Sequence, residues 1–213
     1  MASQSSKIVN AFETLLVLQP QPGKRVTKPD DQRMLNDLRA GRSEACGEVI
    51  RGHYQAVYRF LVHMTRDVHE AEDLTQETFA TAWQRIGAFE GRATLATWLH
   101  RIAYTKYIDA QRAARRNARL QEPLTSLRTS DTSSDDPSDS VAADDESRRL
   151  YQALHGLECQ DRALLVLHYL QGLSYREMSS VLDEPTGTLK WRTSEALNCL
   201  RSLLTDEVSH HVR

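Results

Sequence analysis

Cysteine is scarce in this 213-residue chain: Cys46, Cys159 and Cys199 are odd in number, far apart and without ligand spacing. Such a set argues against a disulfide framework or a metal site and suits free thiols in a reducing cytosol. No uninterrupted apolar run approaches membrane-spanning length, so membrane insertion is not expected. The start lacks a basic segment followed by a long apolar core, so a secretory leader is not expected either, and the reading is cytoplasmic. Also missing are a glycine-rich phosphate loop, a nucleophile elbow and a metal-ligand cluster, which leaves no enzyme class and no cofactor to propose. His69-Glu70 begins like a zinc-protease signature, but that signature needs a second histidine four residues after the first, and Asp73 stands there.

An excess of either charge is lacking too, since the net is −2. The charges are segregated, however. From Thr97 to Arg119 the chain carries Arg101, Lys106, Arg112, Arg115, Arg116 and Arg119 against Asp109 alone. From Gln121 to Ser147 the order reverses, with Glu122, Asp131, Asp135, Asp136, Asp139, Asp144, Asp145 and Glu146 against Arg128. A basic block beside an acidic one suggests a nucleic-acid surface followed by a solvated tether. The 40% hydrophobic content suffices for one large domain or two small ones.

What is present centres on residues 67–86. Ala71, Leu74, Phe79, Ala82, Trp83 and Ile86 recur at steps of three, four and five, a helix with one core face. Asp67 suits its N-cap. The opposite face carries Glu72, Asp73, Gln76, Glu77 and Gln84. Alone, such a charge run is an ordinary solvated helix side. It stands, however, within the pattern Asp-x-x-Glu-Ala-Glu-Asp-Leu-x-Gln-Glu-Thr-Phe-x-x-Ala-Trp, with Thr97-Trp98-Leu99-x-Arg101-Ile102-Ala103 close behind. From about Tyr54 to Arg116 the chain resembles the second conserved region of bacterial sigma factors of the extracytoplasmic-function type.

The helix from Thr97 divides by angle at 100 degrees per residue. Trp98, Leu99, Ile102 and Ala103 face a core; Thr97, Arg101, Tyr104, Ile108, Arg112 and Arg115 face away. Cations neutralise phosphate and an aromatic ring gives an unpaired base a stacking surface. From the residues alone, Tyr104 fits such a platform and packing on a neighbour equally. The resemblance favours the platform, because in that family this helix and the preceding loop, here about Gly87 to Ala96, bind the melted minus-ten element and receive a flipped base. It implies minus-ten contacts by Thr97, Trp98, Arg101, Tyr104, Lys106, Arg112 and Arg115. It implies polymerase-clamp contacts by Asp73, Gln76, Glu77, Phe79 and Trp83.

Before this block, Met34, Leu35 and Leu38, then Val49, Ile50, Val57, Phe60, Leu61 and Met64, predict helix over 31–66 with a break at Gly41. Ile8, Phe12, Leu15 and Leu16 form either a short docking helix or a frayed end. After it, Thr129 to Ser140 contains no apolar residue and reads as disordered linker, which the resemblance would thread near the polymerase active centre.

Residues 144–204 predict further helices. Ser174 with Glu177 makes a capping box, Asp183-Glu-Pro185 breaks a helix, and Thr186 to Leu204 forms the last one. Two helices joined by so short a turn are a helix-turn-helix. Gly172-Leu-Ser-Tyr-Arg-Glu-Met with Pro185-Thr-Gly-Thr-Leu-Lys-Trp-Arg192 resembles the fourth sigma region, which reads the minus-thirty-five element. The resemblance implies contacts by Ser174, Tyr175, Arg176, Thr186, Thr188, Lys190, Trp191 and Arg192. The chain departs from the family in having Glu195 and Leu197 where arginines are usual. Trp191 fits either a thymine methyl or sugar contact or packing within its domain.

The expectation is thus an all-α protein with two small helical domains: an extension over 1–30, a region 2 domain over 31–118, a flexible acidic linker over 119–143, a region 4 helix-turn-helix domain over 144–206, and a tail over 207–213. The partners implied are core RNA polymerase, through its clamp and flap, and promoter DNA, both duplex and single-stranded; an anti-sigma factor remains open. The alternative is an autonomous helix-turn-helix regulator, since response-regulator output domains share the Gly-Leu-Ser and Gly-Thr-Leu-Lys pattern. The helix from Asp73 to Trp83 argues against it.

Overall fold

The computed structural model describes residues 36–38, 43–121 and 145–210, and every regular element among them is helical. The expected amphipathic segment near Ile8, the break at Gly41 and most of the acidic linker lie outside the described residues.

Three helices make the first unit: α1 (Ser43–Thr65), α2 (Val68–Arg85) and α3 (Leu95–Gln121), with a 3-10 turn at Ile86–Ala88. The α1–α2 corner follows from its sequence. Arg66 takes a left-handed φ of 67 that ends α1. Asp67, with extended φ −129 and ψ 124, then caps α2 by accepting from the backbone N–H groups of His69 at 2.8 Å and Glu70 at 3.0 Å. Each helix packs on the other two around Val57, Phe60, Leu61, Met64, Leu95 and Leu99.

The second unit contains α4 (Asp145–Gly156), α5 (Cys159–Leu165) running into a π-helical turn at Val166–Leu170, then α6 (Tyr175–Leu182) and α7 (Thr186–His210). The predicted capping box is present: Ser174 Oγ accepts from Glu177 N, and Glu177 Oε2 accepts from Ser174 N at 2.8 Å. Asp183 closes α6 in the left-handed region at φ 58, and Pro185 precedes α7, so α6 and α7 form the expected helix-turn-helix. Helix α3 runs to Gln121, and α7 runs six residues past the Leu204 expected as the end of the last helix. Residues 205–210 hold Val208 as their one apolar residue, so no apolar spacing marked where the helix stops.

The units pack on each other. The side of α3 lies along α6, and α1 meets α4, α5 and the π turn. Buried apolar residues consequently form one cluster running from Leu38 to Leu200.

Candidate nucleic-acid interface

Helix α2 buries Ala71, Leu74, Thr75, Thr78 and Ala82. The two threonines are satisfied within the helix, Thr75 Oγ1 donating to Ala71 O at 2.6 Å and Thr78 Oγ1 to Leu74 O at 2.7 Å. The buried stripe is therefore turned from the one apolar counting predicts. Trp83, expected on the core face, is 43% exposed, and Phe79 is only half-buried. Phe79 stacks on Tyr54 of α1 at 6.0 Å between ring centroids, and Tyr54 stacks on Tyr58 at 6.1 Å. One turn before Tyr54 on α1, Ile50 is 44% exposed, and Trp83 follows Phe79 by one turn on α2. An apolar ledge with exposed Glu72, Asp73, Gln76 and Glu77 beside it has the character of a protein-docking surface. Sequence reasoning missed Ile50 and Tyr54. The signal was there, since Val49 and Ile50, 100 degrees apart, need not both face the core.

The loop from Phe89 to Thr94 and the start of α3 border an open-sided cavity of about 350 Å³, lined by Phe89, Glu90, Arg92, Thr97, Trp98, Arg101 and, from the second unit, Ser180. Phe89 and Trp98 are 4.8 Å apart between centroids and form its aromatic wall. Thr97, expected on the outer stripe, is buried and shares a 2.8 Å hydroxyl contact with Thr94. The helical wheel misplaces it because the helix begins inside the loop's own packing. Leu99, Ile102 and Ala103 are buried as expected, while Arg101, Arg112, Arg115 and Arg116 are exposed. Arg112 lies 3.6 Å from Asp109, and Lys106 pairs with Glu77 of α2 at 3.1 Å, linking a residue expected on DNA with one expected on polymerase. Tyr104 is half-buried toward the second unit; its phenol is pushed up to about 12, first by burial and then by Cys159 and Glu184.

On the helix-turn-helix, Arg176, Thr186, Thr188, Lys190 and Glu195 are exposed. Ser174 is occupied in its cap, and Tyr175 is half-buried with Lys190 Nζ 5.9 Å from its ring centroid. Trp191 is 65% exposed, which removes internal packing as its role. Arg192 behaves otherwise. Its guanidinium donates to Asp161 Oδ1 and to Glu184 Oε1, both at 2.6 Å. Burial lowers its pKa, but those hydrogen bonds and charges outweigh burial and raise it. Arg192 thus ties α5 to the turn before α7 rather than standing free beside Lys190. Asp161 lies 31 residues away, so no local spacing marks it as the partner.

Among the described residues no group of three metal-ligating side chains occurs, and no helix is long and apolar enough to cross a membrane.

Residues 49–117 match the family model for sigma-70 region 2, and residues 147–200 the model for sigma-70, region 4. The chain is 29% identical over 181 residues to the ECF RNA polymerase sigma factor SigW of Bacillus subtilis, covering 82% of this chain and 97% of that one. It is 31% identical over 183 residues to the ECF RNA polymerase sigma factor BldN of Streptomyces coelicolor, covering 84% and 68%. Among solved structures it resembles CnrH in complex with the cytosolic domain of CnrY, with a TM-score of 0.62, 24% identity and coverage of 83% and 97%. It also resembles RpoE in complex with the anti-sigma factor NepR from Bartonella quintana, with a TM-score of 0.61, 23% identity and coverage of 75% and 96%. At these identities the two structural likenesses speak for the fold alone.

Proposed function

This chain belongs to the sigma-70 family of RNA polymerase sigma factors, in its extracytoplasmic-function branch, and from that membership we propose which of its surfaces carry out promoter recognition. It directs core RNA polymerase to promoter DNA, and the first unit does so by joining the enzyme to a single strand. The observation that carries this division is the adjacency of two unlike surfaces on one three-helix unit. The ledge of Ile50, Tyr54, Phe79 and Trp83, bordered by Asp73, Gln76 and Glu77, is apolar and acidic and suits a protein partner. The Phe89–Trp98 cavity has Arg101 on its wall, Glu90 paired with Arg92 at its rim, and Arg112 and Arg115 beyond it; its aromatic rings and unpaired arginine suit an unpaired base with its phosphates. The Thr94–Thr97 hydroxyl pair orders the cavity wall. Strand opening then draws on the free energy of single-strand binding, with no nucleotide hydrolysis.

In the second unit, Arg176, Thr186, Thr188, Lys190 and Trp191 form the surface for duplex DNA, and Trp191 supplies apolar contact to thymine methyls or sugars. Tyr175 positions Lys190 through its ring. The protein works where the polymerase is, in the cytoplasm. We further propose an anti-sigma partner, the class with which RpoE in the Bartonella structure was captured. The match over 49–117 has no counterpart in an autonomous helix-turn-helix regulator, so that alternative finds no support.

Run-off transcription on genomic fragments with core polymerase, with and without the protein, tests the reading. Protein-dependent discrete transcripts are expected, and their absence across the genome would refute it. The clamp surface is tested by Asp73→Lys, which leaves the Glu77–Lys106 pair intact. Loss of co-purification with core polymerase at unchanged melting temperature is the expected result; unchanged co-purification would remove Asp73 from the interface.

A further inference from the structure

Lys106 does not share the side of α3 that carries the exposed arginines. It follows Ile102 by four residues and Leu99 by seven, and both of these are buried. Residues so spaced stand on one face of a helix. At about 100 degrees per residue, Lys106 is turned about 140 degrees from Arg101, whereas Arg112 lies within about 20 degrees of it. Helix α3 packs on α2, and from this face the Lys106 stem reaches across, so that Nζ donates to Glu77 Oε2 at 3.1 Å.

Glu77 belongs to a row. Asp73, Gln76 and Glu77 are three and four residues apart on one side of α2, and all three are exposed. Lys106 adds a cation to that row from the neighbouring helix. The side chains of Lys106 and Glu77 are 32% and 58% exposed, and an ion pair so exposed contributes little to folding. What it does is hold two long side chains in one orientation before a partner arrives, which lowers the ordering cost of binding. Among the described residues the pair makes no other hydrogen bond, so Glu77 keeps Oε1 and Lys106 two of its three ammonium protons.

This pattern of charge selects the partner. A phosphate approaching Lys106 meets the Glu77 carboxylate beside it and Asp73 one turn further along α2, and their repulsion offsets the attraction. A protein surface fits better, with a hydrogen-bond donor for Glu77 Oε1 and a backbone carbonyl or carboxylate for Lys106.

We propose that Lys106 belongs to the polymerase-docking surface and not to the strand-binding one, and that it forms a single docking unit with Glu77. The inference rests on the promoter-recognition reading, which gives this side of α2 to the polymerase. Lys106 holds the Glu77 carboxylate aimed, and the enzyme meets the two groups together.

The test uses the full-length protein, Lys106→Met, Lys106→Arg, Glu77→Gln and the double variant of Lys106→Met with Glu77→Gln. Methionine keeps the apolar stem and removes the charge. Titration against labelled core polymerase reads docking, and thermal melting reads the fold. Binding of a fluorescein-labelled mixed-sequence DNA single strand by saturated holoenzyme, over a salt series, reads the strand surface. Lys106→Met should melt as the wild type does, bind core polymerase about ten-fold more weakly, and leave the salt slope of strand binding unchanged. Lys106→Arg should recover most of the lost affinity. The double variant should bind about as weakly as either single variant, because the two groups act as one. Unchanged core affinity in Lys106→Met, or a strand-binding slope lower by about one unit, would overturn the assignment and return Lys106 to DNA. Fully additive losses would overturn the docking unit. If Lys106→Met fails to fold, Lys106→Gln is read in its place by the same outcomes. A wild type that does not bind core polymerase overturns the promoter-recognition reading and this proposal with it. Normal wild-type docking with an unaffected Lys106→Met overturns the proposal alone.

Discussion

Charge alone does not tell what a cation does in this chain. Arg192 and Lys190 are two residues apart on α7, and both suit DNA by residue type. Arg192 is held between Asp161 and Glu184, whereas Lys190 is exposed above Tyr175. Replacing Arg192 by Ala leaves two partly buried carboxylates facing each other without a cation, which should cost about 2 kcal/mol and lower the melting temperature. Lys190→Ala should leave melting unchanged and flatten the salt dependence of duplex binding by holoenzyme by about one unit in log–log slope. The opposite assignment of effects would return Arg192 to the DNA surface. The histidines give a pH prediction. His63 Nδ1 is buried without a hydrogen-bond partner, and burial, then Arg59, hold the ring's pKa down from 6.5 to about 4. Between these values the unfolded chain takes up a proton that the folded chain refuses, so this residue's effect is nil above pH 6.5 and grows as pH falls toward 4. The loss reaches at most about 3 kcal/mol. His155, held down first by burial and then by Arg162, adds to it in the same direction. Urea midpoints at pH 7.5 and pH 5 should differ more in the wild type than in His63→Leu; equal differences would show that His63 is protonated in the fold.

Helices were legible where the decisive residues are local. Asp67 as a cap and the Ser174–Glu177 box depend on residues within one turn, and both are formed. The facing of α2 was less legible, because two of its core positions are threonines whose hydroxyls bond back into the helix. Counting apolar residues alone pulls Phe79 and Trp83 inward, whereas the packed helix leaves them at its edge with Ile50 and Tyr54. That edge carries an element-scale prediction. Trp83 is 43% exposed, so Trp83→Ala should change folding stability by no more than about 0.5 kcal/mol. On the ledge proposed for polymerase, loss of this exposed aromatic should nevertheless cost about 2 kcal/mol or more of polymerase affinity. Titration of core polymerase against labelled protein measures the second quantity and thermal melting the first. A large melting shift with intact affinity would make Trp83 a packing residue.

At the scale of the molecule, charge segregation and the order of the two units could be read from composition, but their docking could not. The groups that join them are backbone carbonyls at Val62 and Met64, which have no sequence signature, and Arg162 sits in an unremarkable Gln160-Asp161-Arg162 run. The division of affinity between the units is another whole-molecule property. On the helix-turn-helix face, Arg176 and Lys190 are the exposed cations, Arg192 is neutralised internally, and Glu195 is exposed one turn beyond Trp191. Each phosphate left without a cation weakens binding and flattens its salt dependence, and an anion aimed at the backbone repels it. The full-length protein should therefore bind promoter duplex weakly without polymerase at physiological salt. Within holoenzyme the same surface is held near its element by the first unit, which raises its effective concentration without any new interaction. Glu195→Arg replaces a repulsive charge by an attractive one in the same place. In gel shifts across a salt series, the polymerase-free variant should bind duplex more tightly than wild type and with a slope steeper by about one unit. The gain should shrink in holoenzyme, where the tether already dominates. Tight, sequence-specific duplex binding by the wild type alone, unaffected by Glu195→Arg, would mean that recognition needs neither the tether nor added charge.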